Sequence, residues 1–229
     1  MIKLFITATD TDAGKTYVAQ SLITALVEKQ LRVAVYKPIS AGCEKVVTSQ
    51  GTQLVNEDAL LLANAANCQQ TLANVNPIAF EEPIAPHIAA KKHNKPIDLT
   101  FLEKHYQSIT TNPCDVLITE GAGGWRLPLG NGQFLSELVQ STEQDVILVV
   151  NMKLGCLNHA ILTYQSIISD GLTCVGWVAN CLDNMPYLEE NIAELEQFFP
   201  MPLIAKLAKQ TDIKQAAAKF NLQPLLAQC

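Results

Sequence analysis

Short apolar runs alternate with longer helical patterns along this chain. The first three are a strand over 2–7, a helix over about 15–29 and a strand over 32–36, which together make one βαβ unit. The run Val-Ile-Leu-Val-Val at 146–150 is apolar at every position, as a parallel strand covered by helices on both faces requires. The pattern predicts an α/β fold with an open, mostly parallel, doubly wound sheet. Further strands are predicted over 115–119, 146–151, 175–179 and 202–205, and helices over 99–108, 158–169 and 188–198.

A single domain over residues 1–229 is expected, because no repeat, low-complexity tract or Pro/Ser-rich linker divides the chain. The least regular stretch is 71–96, where prolines at 77, 83, 86 and 96 are expected to interrupt any helix. This stretch is predicted to be a long loop over the sheet, and loops of that kind often carry function.

The charge balance is acidic, with 16 Lys+Arg against 22 Asp+Glu and a net charge of −6. It disfavours nucleic acid and anionic lipid as partners, so an anionic ligand needs a local site. No apolar run approaches the ~20 residues of a membrane span, and the first residues do not resemble a signal peptide. A cytoplasmic protein is expected. The seven cysteines form no C-x-x-C pair, which favours free thiols in a reducing compartment.

The first predicted strand leads into Thr-Asp-Thr-Asp-Ala-Gly-Lys-Thr at 9–16, and an apolar helical pattern follows. This is nearly the phosphate-binding loop G-x-x-x-x-G-K-[ST], with Thr9 at the place of the first glycine. In such a loop backbone N–H groups surround phosphate oxygens, Lys15 reaches the outer phosphates and Thr16 binds Mg²⁺. The alternative is a surface loop that happens to contain Gly-Lys-Thr. The strand before it and the helix after it favour nucleotide binding.

Two carboxylates are candidates for holding a metal ion. Glu120 follows an apolar strand and precedes Gly-Ala-Gly-Gly at 121–124, so it stands at the carboxyl end of a strand, where doubly wound sheets bind ligands. Its alternative role is that of a capping or turn carboxylate. Asp58 opens the helical run 59–62, and on the pattern alone capping that helix is favoured over metal binding.

Six segments, in this order, resemble motifs of the dethiobiotin synthetase family, and the match spans most of the chain. The loop at 9–16 resembles the family's variant phosphate loop, in which Thr-Asp-Thr precedes Gly-Lys-Thr. Each motif alone is weak, but six in the same order are specific. The other five are Tyr-Lys-Pro-Ile-x-x-Gly at 36–42, the loop at 76–87, Glu-Gly-Ala-Gly-Gly at 120–124, Lys-Leu-Gly-Cys-Leu-Asn-His at 153–159 and Gly-Trp-Val-Ala-Asn at 176–180.

The resemblance implies a cyclo-ligase of biotin biosynthesis that uses ATP and Mg²⁺. It would carboxylate 7,8-diaminopelargonate with CO₂ and close the ureido ring, giving dethiobiotin, ADP and phosphate. One amine forms a carbamate, the carbamate oxygen attacks the γ-phosphorus, and the second amine displaces phosphate from the mixed anhydride. Because the substrate supplies both nucleophiles, the protein is expected to act mainly by positioning and charge neutralisation.

The resemblance also implies residue roles. Lys37, Lys15 and Thr11 would be catalytic, and Thr16, Asp58 and Glu120 would hold the metal. From the residues alone, Lys37 would be a solvated lysine at the end of a strand beside the phosphate-loop strand. Asn180 would read adenine, or else be a turn residue after a strand. The implied nucleotide-binding residues are Asp12, Ala13, Gly14, Lys15, Thr16, Tyr17, Asp58, Glu120, Gly121, Ala122, Gly123, Asn180, Cys181, Leu207, Ala208 and Lys209.

The implied substrate contacts include a helix start supplied by a partner subunit, whose free N–H groups and dipole suit a carboxylate. This implies a homodimer with shared active sites. Cys156 and His159 could also be taken for a nucleophile and base, but packing plus a cap is favoured, and no covalent role is expected. The implied contacts are Lys37, Ser40 and Ala41, with Gly155, Cys156, Leu157 and Asn158 from the partner.

The sequence departs from the family pattern at three places. Ala41 stands where a hydroxyl residue is usual, and Ser40 could replace it. Cys181 stands where an aspartate is common, and the segment 204–209 lacks the expected Ile-Pro. The last two changes lie near the expected base pocket, so they bear on the nucleotide preference.

Two other functions are compatible with parts of this pattern. A nucleotide-switch ATPase shares this loop architecture, but its signature lysine near the start of the loop is replaced here by Thr9-Asp10. An amide-forming ligase acting on a corrinoid precursor usually carries a further glutamine-using domain, for which this chain has no room. The synthetase is favoured over both.

Overall fold

The computed structural model describes residues 1–48, 51–209 and 212–227. The strands are β1 (Ile2–Ala8), β2 (Val33–Tyr36), β3 (Ile39–Ser40), β4 (Glu44–Thr48), β5 (Gly51–Val55), β6 (Ile78–Ala79), β7 (Val116–Glu120), β8 (Pro128–Gly130), β9 (Gln133–Phe134), β10 (Asp145–Asn151), β11 (Cys174–Cys181) and β12 (Leu203–Ala208). The helices are α1 (Lys15–Glu28), α2 (Glu57–Ala65), α3 (Leu72–Val75), α4 (Pro86–Lys92), α5 (Leu99–Thr110), α6 (Leu135–Ser141), α7 (Cys156–Ser169), α8 (Leu188–Phe198), α9 (Ile213–Ala217) and α10 (Gln223–Leu226).

The central sheet has six parallel strands in the order β12-β11-β10-β1-β7-β2. Its strands are buried on both faces, which is why they are apolar at successive positions. In β1, Phe5 packs into the core on one face, whereas Leu4 and Ile6 pack into the core on the other. The predicted doubly wound α/β fold is confirmed.

Helices cover both faces of this sheet. Buried side chains of α1, α2, α9 and α10 share one apolar core with the sheet. Those of α4, α5, α6, α7 and α8 share the other, which contains the fully buried Trp177 and Tyr36. Each of the two cores packs against one face of the sheet. The carboxyl ends of the strands are therefore supported by close packing on both faces.

β7 lies between β1 and β2 and pairs with both. The prediction that the strand before Lys37 adjoins the phosphate-loop strand is therefore wrong. Strands that follow one another in sequence are often neighbours but need not be, and here the connection through α1 passes over a position that a later strand fills. As a result Glu120, the last residue of β7, lies between the phosphate loop and Lys37.

The segment 71–96 is more ordered than its prolines suggest. Pro86 occupies the first turn of α4, where the missing N–H would have no helical partner in any case. The expectation that each proline interrupts a helix is thus wrong at Pro86. The segment also contains α3 and β6, and β6 pairs with β3. Residues 80–85 between β6 and α4 have no regular structure.

Two antiparallel ribbons, β4 with β5 and β8 with β9, lie outside the central sheet. No described helix is long and apolar enough to cross a membrane. The six cysteines in the described ranges are free thiols, as expected. The seventh, Cys229, lies outside those ranges.

Candidate active site

The phosphate loop connects the end of β1 to the start of α1. Gly14 precedes the helix with φ 81°, a left-handed conformation that favours glycine. A Cβ atom at Gly14 would lie 2.2 Å from Asn180 Nδ2, so space as well as backbone conformation demands glycine here. Because glycine has no side chain to cap α1, the first N–H groups of the helix remain available to an anion.

The Lys15 side chain is largely buried beside this loop. Its Nζ atom donates to the backbone oxygen of Asp10 at 3.3 Å. Burial lowers the pKa of Lys15, and the nearby Glu120 carboxylate partly offsets that effect. An ammonium group that has lost water in this way gains strongly from contact with an anionic oxygen.

Glu120 connects the phosphate loop to Lys37. Its Oε1 atom accepts hydrogen bonds from Thr16 Oγ1 at 2.9 Å and from Lys37 Nζ at 2.6 Å. Its Oε2 atom is buried and has no hydrogen-bond partner in the described part of the chain. Glu120 is thus neither a capping nor a turn carboxylate. A buried carboxylate oxygen without a partner is costly, which points to a cation or donor supplied from outside the chain.

Lys37 is buried, not solvated, so its interpretation as a surface lysine at a strand end is wrong. Its Nζ atom also lies 3.2 Å from Asp58 Oδ2. Burial lowers the pKa of Lys37, but the carboxylates of Glu120 and Asp58 outweigh burial and leave the pKa raised. Lys37 is therefore a cation at neutral pH.

Asp58 does not cap α2, contrary to the prediction from the pattern alone. The cap is Asn56, whose Oδ1 atom accepts the N–H of Ala59 at 3.1 Å. Because Asn56 provides the cap, the Asp58 carboxylate in the first turn of α2 does not bind the helix backbone. It is half exposed and pairs with Lys37.

The oxygen atoms around Glu120 suit Mg²⁺. Glu120 and Asp58 supply carboxylates and Thr16 supplies a hydroxyl. The described residues contain no cluster of three His, Cys, Asp or Glu side chains that could hold a metal unaided. Mg²⁺ commonly uses one or two protein carboxylates together with substrate phosphates and waters, so these groups fit a nucleotide-bound Mg²⁺.

A cavity of about 770 Å³ opens above these groups. It gathers most of the residues predicted for phosphate, metal and substrate: Thr11, Asp12, Gly14, Lys15, Thr16, Lys37, Ser40, Ala41, Asp58, Glu120, Gly121, Ala122 and Gly123. Seven lining residues were not predicted as site residues: Ile39, Asn56, Pro83, Ile84, Ala85, Pro86 and Leu127. Four of the seven belong to 83–86, which makes a largely apolar wall, and the prolines there were the available signal.

The Ser40 hydroxyl does not face the cavity as a free donor. It donates to Asn76 Oδ1 at 2.6 Å and lies 3.2 Å from Cys43 Sγ. Asn76 in turn donates to the backbone oxygen of Lys37 at 2.7 Å. These bonds fix the chain that follows β2, where both Ser40 and Ala41 line the cavity.

Asn180 contacts the phosphate loop at Ala13. It is a buried residue within β11, so the interpretation as a turn residue is wrong. Its Nδ2 atom donates to the Ala13 backbone oxygen at 2.8 Å, and its Oδ1 atom is buried without a partner in the described residues. The amide therefore retains an unpartnered acceptor, while one of its two N–H donors is used by Ala13.

The remaining residues predicted for the nucleotide lie near Asn180 but outside the large cavity. Cys181 and Ala208 line a second cavity of about 510 Å³. The Tyr17 hydroxyl donates to the Ala208 backbone oxygen at 3.4 Å. Leu207 is buried, whereas Lys209, just beyond the end of β12, is exposed.

The helix start at 155–158 does not line the large cavity of its own chain. Gly155 caps α7 with φ 91°, and the helix begins at Cys156, two residues before its predicted start. Leu154, just before it, is 95% exposed. Cys156 is buried, and burial raises the pKa of its thiol, which disfavours the reactive thiolate.

Several known proteins that are similar in sequence to this chain carry the same name. A family profile described as an AAA domain matches residues 3–217. The ATP-dependent dethiobiotin synthetase BioD of Alteromonas mediterranea is 44% identical over 98% of this chain and all of its own length. The proteins of that name from Cellvibrio japonicus and Aeromonas salmonicida are 44% and 43% identical, over 97% and 99% of this chain and 96% and 100% of their own lengths.

Solved structures with much lower identity share the fold. The MinC:MinD cell division protein complex of Aquifex aeolicus matches 94% of this chain and 86% of its own, with TM-score 0.56 and 13% identity. The signal recognition particle receptor FtsY of Elizabethkingia anophelis matches 99% of this chain and 64% of its own, with TM-score 0.51 and 14% identity.

Proposed function

This chain belongs to the dethiobiotin synthetase family, and we propose that the cavity above Glu120 is where it performs that family's reaction. The protein is an ATP-dependent ligase of biotin biosynthesis that makes dethiobiotin by forming carbon–nitrogen bonds. Its proposed substrates besides ATP are 7,8-diaminopelargonate and CO₂. One observation carries the assignment of the site: a buried lysine and a buried glutamate in contact, at the mouth of a phosphate loop.

Lys37 is the proposed catalytic cation. One substrate amine adds CO₂ and loses a proton to become a carbamate. A carbamate oxygen then attacks the γ-phosphorus and ADP leaves. Charge builds on the oxygens between carbamate and phosphorus during this step, and the Lys37 ammonium lies in the cavity where it can balance that charge. Its two carboxylate partners keep it protonated and fix its position.

Lys15 and the free N–H groups of α1 bind the phosphates. Thr11 lines the same cavity and offers a hydroxyl donor on the side of the loop facing the substrate. When bound, Mg²⁺ neutralises phosphate charge, and Thr16, Asp58 and Glu120 are the proposed residues that hold it.

The second amine of the substrate closes the ring. It attacks the carbonyl carbon of the mixed anhydride, inorganic phosphate leaves and the nitrogen gives up a proton. Both nucleophiles belong to the substrate, so the cavity needs only to hold the two amines at one end near Lys37. Positioning of this kind supplies a large share of the rate enhancement in such reactions.

Asn180 is the proposed reader of the nucleotide base. One N–H of its side-chain amide is bound to the Ala13 oxygen, and Oδ1 is a buried acceptor without a partner among the described residues, so Oδ1 is the atom proposed to meet the base. That oxygen accepts a hydrogen bond from an exocyclic amine, such as that of adenine, and does not suit a carbonyl at the same position. The large cavity would then hold the phosphates, and the second cavity, lined by the neighbouring Cys181, would hold the base.

We further propose a homodimer in which the start of α7 completes the partner's site. The Cys156 N–H donates to the Lys153 oxygen at 2.9 Å, so the N–H groups that follow it in the first turn are proposed to bind a carboxylate, and this turn lies outside the cavity of its own chain. The adjacent Leu154 is almost fully exposed, as a residue covered by a second subunit would be in one subunit viewed alone. Sedimentation of the active protein as a dimer is expected, whereas an active monomer would contradict this arrangement.

Biosynthetic ligases that use ATP, CO₂ and a small diamine find these substrates in the cytoplasm, which is the proposed location. The whole chain is proposed to act as one catalytic unit.

The test of the function is phosphate release from ATP and Mg²⁺ with bicarbonate, with and without 7,8-diaminopelargonate, together with mass detection of the product. Release that depends on the diamine and a product carrying the added carbonyl group are expected. Hydrolysis that ignores the diamine would contradict the proposal and favour a nucleotide-switch ATPase.

A further inference from the structure

The apolar wall of the large cavity, residues 83–86, is held by few backbone hydrogen bonds. It comprises the last three residues before α4 and the first residue of α4, Pro86, and two of its four residues are prolines, which have no N–H to donate. Gly42 N donates to the Glu82 backbone oxygen at 3.1 Å, and Ile84 N donates to the same oxygen at 2.9 Å. The Ala85 oxygen accepts from Ile88 N at 2.9 Å and Ala89 N at 3.2 Å. The position of the wall therefore also depends on how α4, whose first residue is Pro86, is held.

A clamp of three side chains, Glu82, Lys92 and His93, connects the two ends of this segment. The Glu82 carboxylate accepts from Lys92 Nζ at 2.6 Å and lies 2.8 Å and 3.0 Å from His93 Nε2. Glu82 directly precedes the wall, whereas Lys92 and His93 stand at the carboxyl end of α4. The clamp therefore closes a loop that contains the wall and the whole of α4.

Further contacts make the clamp a fixed structure. The His93 ring stacks on Phe80, with ring centroids 6.4 Å apart and planes 21° apart. Phe80 belongs to one of the two buried cores. The hydrogen bonds from Lys92 and His93 lower the pKa of Glu82 to about 2, so its carboxylate is charged throughout the physiological range.

The clamp contributes little to global stability. Lys92 is 61% exposed and His93 39% exposed on their side chains, and exposed ion pairs are generally weak. Its effect is expected on the local position of the wall, where a displacement on the order of 1 Å is enough to change binding of a ligand that lies against it.

We propose that the clamp of Glu82, Lys92 and His93 positions the 83–86 wall against the hydrocarbon chain of the diamine substrate. The three are positioning residues, since none of them lines the cavity. The proposal rests on the proposed function, because the apolar wall needs an aliphatic substrate opposite the polar phosphate loop. The phosphate loop itself does not touch the clamp, so binding of ATP is expected to be independent of it.

Glu82→Ala tests the clamp, and Glu81→Ala is its matched control. Glu81 is the neighbouring residue and also forms an ion pair, but with Lys45 in β4, so its loss leaves α4 untouched. Glu82→Ala is expected to raise the KM for the diamine by about tenfold and to leave the KM for ATP within about twofold. Glu81→Ala is expected to change neither.

Two variants of the donors separate positioning from a general structural loss. Lys92→Ala/His93→Ala is expected to reproduce Glu82→Ala. Lys92→Arg keeps the N–H donor to Glu82 and the stacking of His93 on Phe80 and is expected to keep the wild-type KM. A diamine KM within about twofold of wild type in Glu82→Ala, or an equal rise in the KM for ATP, would overturn the clamp.

Amide hydrogen exchange supplies a readout that does not depend on activity. Faster exchange at residues 84–92 in Glu82→Ala, and not in Glu81→Ala, is expected because the carboxyl end of α4 is released. Unchanged exchange there would contradict the clamp alone. Wild-type protein without diamine-dependent phosphate release would contradict the proposed function and the role of the wall together.

Discussion

The Lys37 ammonium and the Glu120 carboxylate are in contact at 2.6 Å, and both side chains are almost wholly buried. Burying two charges costs several kcal/mol per ion, and direct contact only partly offsets that cost. A pair of this kind is weak evidence for stability and stronger evidence for a function. Here the pair joins the end of β2 to the end of β7, next to the phosphate loop.

Lys37→Gln is expected to lower turnover by about three orders of magnitude or more while nucleotide binding persists, because the amide cannot balance charge at the transferring phosphoryl group. Steady-state phosphate release and titration calorimetry with ATP measure the two effects. Lys29→Gln, an exposed lysine at the carboxyl end of α1, is the control. Activity of Lys37→Gln within about tenfold of wild type would refute the catalytic role.

Glu120→Gln is expected to raise the Mg²⁺ concentration needed for half-maximal activity by about tenfold or more. The amide oxygen can still accept from Thr16 and Lys37, but an N–H₂ group replaces the unpartnered Oε2 and repels a cation. Titration of the rate with Mg²⁺ measures this. An unchanged Mg²⁺ dependence with a folded variant would remove Glu120 from the proposed metal site.

Gly14→Ala is expected to destabilise the protein by more than Gly171→Ala does. Both glycines have φ near +80°, at 81° and 77°, but an added Cβ meets Asn180 at Gly14 and nothing within 4 Å at Gly171. The shared backbone strain costs about 1 kcal/mol or more, and the collision adds to it only at Gly14. Urea unfolding of both variants measures the difference in the free energy of unfolding. Equal losses of this free energy would show that the Asn180 side chain moves aside without an energetic penalty.

Asp115→Asn is expected to destabilise the protein at neutral pH and to have little effect on its stability at low pH. The Asp115 carboxylate accepts from the Arg32 backbone and guanidinium, and these bonds lower its pKa to about 2 from 3.8. A lowered folded-state pKa stabilises above the unfolded-state value, and this stabilisation is lost as the pH falls through the folded-state value. The difference in the free energy of unfolding between wild type and variant should thus shrink between about pH 4 and pH 2. A difference that is constant over this range would contradict the lowered pKa.

Much of the fold could be predicted from the sequence, because buried parallel strands must be apolar at every position. The run 146–150 and the Gly-Lys-Thr loop placed two strands and a helix correctly. The position of β7 between β1 and β2 could not be predicted, since strand order depends on packing between distant segments. Pro86 misled for a local reason, because proline is compatible with the first turn of a helix.

The sequence could predict which residues lie together where their chemistry is tied to a motif. Lys15, Thr16 and Glu120 lie together as expected. Asp58 was misjudged because the capping role belongs to Asn56, two residues earlier. The wall at 83–86 was missed since apolar residues of an irregular loop carry no chemical signature of their own. Burial of Lys37 is a tertiary property, which a lysine at a strand end does not reveal.

The most direct test of the account follows an oxygen atom from CO₂ into phosphate. Supplied with oxygen-18 bicarbonate, ATP, Mg²⁺ and 7,8-diaminopelargonate in a short reaction, the protein should release phosphate that carries one heavy oxygen, since a carbamate oxygen forms the new bond to phosphorus. The ring carbonyl of the product should carry the other. Phosphate that takes its new oxygen from water would show that the cavity activates water and would contradict the central claim.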